Sequence, residues 1–229
     1  MDWGILHLPV SPGELPPQMW ADVSMNRILT VLMLVVGLLA LRDYFRLFPL
    51  LTGCLVRNRG NLEIEHSVSQ ARNRNRCALA GMGILSLLAD RYCLYPAAFL
   101  SDVAPQWRVF VIFGILAGFI LFRGILAALF RKRRLDSESR AASYRALYNY
   151  FLALLPLILL STAVLWLFRA GDSLCRLVFW AEIFTILMVT LFRESQILLS
   201  KYSLLQTFLY LCGLEFIPLA ALVVPAAVL

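Results

Sequence analysis

Four ionisable residues sit where ionisable residues are rare: Asp90 and Arg91 interrupt one long apolar run, and Glu182 and Glu215 fall inside two others. A carboxylate in such a run is costly to desolvate and must be protonated, paired or turned toward water. At a shared depth, with Arg176 beside them, the four would form a polar cluster able to bind a cation or relay a proton. The plainer role is that each bonds a neighbouring helix. A second chemistry lies in the basic clusters, Arg72, Arg74 and Arg76, then Arg131, Lys132, Arg133 and Arg134. Nineteen of the 21 basic residues are Arg, whose guanidinium fork pairs bidentately with phosphate. These clusters suit lipid headgroups or a cytoplasmic partner.

Other chemistries lack their residues. His7 and His66 are the only histidines, and Cys54, Cys77, Cys93, Cys175 and Cys212 contain no Cys-x-x-Cys, so neither a metal site nor a cofactor is expected. The cysteines read as apolar helix packing; Cys93 and Cys175 fall on one predicted side and can pair if it is oxidising. His-Glu-x-x-His, Gly-x-Ser-x-Gly and phosphate-cradling glycine loops are absent, which argues against an enzyme. The net charge of +7 lies between apolar segments rather than along one aromatic-studded face, so nucleic acid is not an expected partner.

The elements that carry these residues follow from composition. With 61% hydrophobic and 15% charged residues and a mean hydropathy of +0.77, the solvent is a bilayer. The fold expected is all-α, a polytopic transmembrane helical bundle of six spans forming one domain over 25–229, after an extracytoplasmic tail at 1–24 that is no cleavable signal peptide. The spans fall at about 25–41, 77–100, 107–130, 148–168, 177–192 and 204–224, with cytoplasmic loops at about 42–76, 131–147 and 193–203. The second span ends either at Ala89 or at Leu100, depending on whether Asp90 and Arg91 lie outside or near its centre.

Local patterns refine this picture. Tyr44, Leu47, Phe48 and Leu51 repeat at helical spacing opposite Arg42, Asp43 and Arg46, which predicts an interfacial amphipathic helix. Gly114, Ala117 and Gly118 offer a small-residue face to a neighbouring helix. Pro156 predicts a kink, with Ser161 and Thr162 available to rebond carbonyls. Tyr144, Tyr148, Asn149 and Tyr150 read as interfacial anchors, as does the recurring Leu-Phe-Arg, and Arg169, Gly171 and Asp172 make a tight turn.

Assigning loops alternately puts 15 basic residues on one side and five on the other, with Arg123 inside a span. The positive-inside rule then places both termini outside the cytoplasm. The string Leu209-Tyr210-Leu211-Cys212-Gly213-Leu214-Glu215-Phe216-Ile217-Pro218-Leu219 resembles the C-terminal signature of an uncharacterised bacterial family, the domain of unknown function numbered forty-two seventy-one. That resemblance implies a bacterial inner-membrane protein and no activity. Three roles remain: a structural or accessory subunit, with lipids and another integral membrane protein as partners; a small-solute or ion transporter; and a lipid-modifying enzyme. The accessory role is the expectation, since membrane helices and basic loops are the main chemistry on offer.

Overall fold

The computed structural model of the chain describes residues 17–56, 67–95, 100, 102–129, 137–199, 203–218 and 220. Every regular element among them is helical: α1 (Pro17–Asp22), α2 (Ser24–Val56), α3 (Val68–Arg91), a 3₁₀ turn (Pro105–Trp107), α4 (Arg108–Leu129), α5 (Ser137–Leu167), α6 (Asp172–Leu199), α7 (Leu204–Leu211) and a π-helical turn (Cys212–Phe216). Four helices are long and apolar enough to cross a membrane, over Ser24–Cys54, Pro105–Leu129, Leu147–Leu167 and Asp172–Gln196. The other two expected spans are not among these four, and positions 219 and 221–224 of the last one lie outside the described residues. The apolar part of α3 begins only at Cys77, after Arg72, Arg74 and Arg76 in the same helix, and the C-terminal run divides into α7 and the π turn.

All three expected cytoplasmic loops are partly helix. No separate interfacial helix follows the first span: α2 continues through Pro49 for 33 residues, about 50 Å at 1.5 Å per residue. Leu47 and Leu51 are buried as their spacing requires, but against Tyr150 and Leu152 of α5 rather than along a membrane surface. The same period fits either partner, and the sequence does not choose between them. Likewise α3 starts at Val68 and α5 at Ser137, so stretches read as loop extend the bundle at its arginine-rich end.

α2 and α3 run antiparallel. Leu29 of α2 packs with Leu87 of α3 and Val109 of α4, while Cys77, at the other end of the apolar part of α3, meets the Ala40 carbonyl at 3.7 Å. Close approach depends on Gly81 and Gly83: a Cβ on Gly81 would lie 2.9 Å from Leu155 of α5, and one on Gly83 would lie 2.7 Å from the Met33 sulfur of α2. The face foreseen for close packing, Gly114 and Gly118, has nothing within 4 Å of a Cβ at either position.

Both α3 and α5 end in the same motif. Cys93 and Arg169 take left-handed φ values of 48° and 50°. The next amides reach back to Ala89 and Leu165 at 2.9 Å each, which satisfies carbonyls the helix end would leave open. The second span therefore stops at Arg91, which places Asp90 and Arg91 in the last turn and not at mid-helix. In the α5–α6 turn it is Arg169, and not Gly171, that carries the positive φ. Cys93 and Cys175 are not joined to each other by a disulfide.

Candidate functional site

Two groups of charged side chains lie toward the two ends of the bundle, with an apolar cleft between them and Glu182 part-way along α6. At the first end, Trp20 of α1 donates its indole N–H to Asp90 Oδ2 at 2.6 Å. Arg91 stands over the rings of Trp20 and Tyr92, 5.6 and 5.9 Å from their centroids, in cation–π geometry. Asp90 and Arg108 line one small hollow. Burial alone pushes Tyr95, in the turn beyond α3, up to about 12.

At the opposite end Arg123 of α4 faces Glu194 of α6, Nη2 to Oε2 3.7 Å, with both side chains 2% exposed. Arg123 is thus a buried ion-pair partner instead of an aromatic-belt anchor. Glu194, which was assigned to a cytoplasmic loop, belongs to a helix. Arg74 is fully buried and donates from Nε and Nη2 to Asn75 Oδ1 at 3.2 and 3.0 Å, while Arg72 and Arg76 are exposed. Asn149 and Tyr150 are buried within the bundle and do not anchor an interface.

Three of the four residues of the expected cluster have described side chains. Asp90 and Arg91 share Trp20, whereas Glu182 is half-buried on α6 and its Oε2 has no hydrogen-bond partner among the described residues. Glu215 falls in the π-helical turn, with its side chain outside the described part; Arg131, Lys132, Arg133 and Arg134 lie outside the described residues altogether. Among the described residues no group of three or more His, Cys, Asp or Glu is placed to hold a metal.

Sequence reasoning missed Trp20, Arg108 and Glu194 as partners. The signal for Glu194 was present: an arginine inside a span requires a buried acceptor, and the nearest acidic residues outside the other spans were candidates. Trp20 gave no such signal, because it lies in a proline-rich stretch with no helical period.

Between the two ends, α3, α4, α5 and α6 line a half-open cleft of about 600 Å³. Its wall is apolar, and the exceptions are Asn75 and Tyr148 toward the Arg123–Glu194 end and Tyr95 and Trp180. No family model matches the chain, and neither the curated proteins nor the solved structures contain a significant match.

Proposed function

We propose that the chain is a non-enzymatic structural or accessory subunit of a membrane assembly. The observation that carries this reading is the separation of charge from space: Asp90 is held by Trp20 and Arg123 by Glu194 at opposite ends of the bundle, and the large cleft between them is apolar. A carrier places its ionisable groups around a wet cavity near the bilayer midplane. We read six crossings, counting α3 and the C-terminal helix with the four apolar helices, with the arginine-rich end cytoplasmic and both termini outside. The bacterial inner membrane is the setting we infer from the resemblance of the C-terminal string. The open face around Gly114 and Gly118, bordered by exposed Leu121 and Ile125, is where we place the partner.

One observation favours the transporter reading: the buried Glu182 Oε2 lacks a hydrogen-bond partner among the described residues. Gentle-detergent purification with identification of stoichiometric membrane partners, beside proteoliposome flux measurements, decides between the two. The accessory reading expects a partner lost in Gly118→Leu and no flux. A lone chain whose proton or cation flux disappears in Glu182→Gln would overturn it.

A further inference from the structure

We propose that the cleft between α3, α4, α5 and α6 holds one acyl chain of an anionic phospholipid, whose phosphate lies against Arg72 and Arg76. The proposal rests on the chain being embedded in a bilayer and is independent of the accessory role.

Size selects the occupant. On α3 the cleft runs from Asn75 to Ala89, about 21 Å at 1.5 Å per residue. Spread over that length, a volume of about 600 Å³ for the centres of water-sized spheres gives a groove about 9 Å from wall to wall, with a radius of about 1.4 Å added on each side. A helix is about 10 Å across even without long side chains and does not fit; a single hydrocarbon chain does. Close-packed interiors leave few voids larger than a water molecule, and an apolar cavity of this size does not hold water well. The lining matches the chain: Met82, Leu116, Phe151 and Ile183 present hydrocarbon, sulfur or ring carbon along its length.

Charge selects the headgroup and its end. Of the residues at the Asn75 mouth, Arg72 and Arg76 lie three residues and one residue away on α3 and are exposed. Arg74 is already turned to Asn75 Oδ1. Two exposed guanidiniums beside an apolar groove complement a phosphate above an acyl chain.

The test uses the purified full chain, delipidated in detergent and titrated with phosphatidylglycerol or with phosphatidylcholine of identical chains, and read by native mass spectrometry. One phosphatidylglycerol per chain is expected. Ala78→Trp and Ile183→Trp fill the groove and should abolish binding of both lipids. Leu39→Trp, on the outer face of α2 where Leu39 is 75% exposed, should change nothing. Arg72→Ala with Arg76→Ala should weaken phosphatidylglycerol roughly thirtyfold, from about 1 kcal/mol per basic residue at an anionic headgroup and 1.4 kcal/mol per tenfold, and weaken phosphatidylcholine less, because its choline already offsets the phosphate charge. Unaltered binding in the folded tryptophan variants would overturn the proposal, as would equal loss of both lipids in the arginine variant. Should the tryptophan variants not fold, a phosphatidylglycerol with a diazirine-bearing acyl chain replaces them on the wild-type chain. Labelling of Met82 or Trp180 supports the site, and labelling confined to outward faces, or a second polypeptide occupying the cleft, refutes it. Loss of lipid binding leaves the accessory reading standing, because that reading fails only on partner and flux.

Discussion

At the scale of single residues, two polar contacts inside the bundle have consequences that can be measured. Pro156 has no N–H, so the carbonyl one turn earlier, Leu152, loses its helical donor. The hydroxyl that reaches it is not Ser161 or Thr162, both of which bond Ile158, but Tyr44 of α2, at 3.2 Å. Tyr44→Phe should therefore cost about 1–3 kcal/mol of stability, the penalty for a buried unsatisfied carbonyl. Pro156→Ala restores the missing amide, so in that background the same change should cost about 0.5 kcal/mol or less. Denaturant unfolding in micelles measures both, and equal costs in the two backgrounds would sink the assignment. The Arg123–Glu194 pair behaves differently, because both groups are charged and buried. Glu194→Leu alone should lose about 3–5 kcal/mol by stranding the guanidinium, and adding Arg123→Leu should recover most of it. Additive losses would mean that the two side chains do not act as a pair.

At the scale of elements, the sequence was legible where a period or a charge had one structural solution. The apolar cores of α2, α4, α5 and α6 needed only length and hydropathy, and all four qualify as spans. Helix ends were less legible. Tyr44, Leu47 and Leu51 keep one period whether the helix lies on a membrane or packs on α5, and Arg72 to Arg76 look equally polar in a loop or in the first turns of a helix. The stop after Arg91 is set by backbone conformation at Cys93, which is neither glycine nor asparagine and so announces nothing. A left-handed residue with a side chain costs about 1–2 kcal/mol, and this sequence bears that cost at two helix ends. Arg169, exposed in its turn, is the cleaner position to test. Arg169→Gly should raise stability by about 1 kcal/mol, seen as a higher midpoint of thermal unfolding, while Gly171→Ala, in the same turn with a Cβ 3.9 Å from its nearest neighbour, should have little effect. An unchanged or lower midpoint for Arg169→Gly would mean that the arginine side chain contributes more than the backbone strain costs.

At the scale of the molecule, the bundle is joined at one end by a contact among elements distant in sequence: α1 supplies Trp20, α3 supplies Asp90, and Arg108 opens α4. Burial was visible in the sequence only as a question, since Asp90 stood at an ambiguous span end; the indole that answers it is 70 residues away. The consequence is a coupling across the sequence. Trp20→Phe keeps an aromatic ring and removes the N–H, and should cost about 1–3 kcal/mol by taking a hydrogen bond from a buried carboxyl. In an Asp90→Leu background the same change should cost much less, because the acceptor is gone. Thermal unfolding of the four chains in the same detergent gives the comparison, and equal costs in the two backgrounds would show that α1 is not held to the end of α3 by this contact.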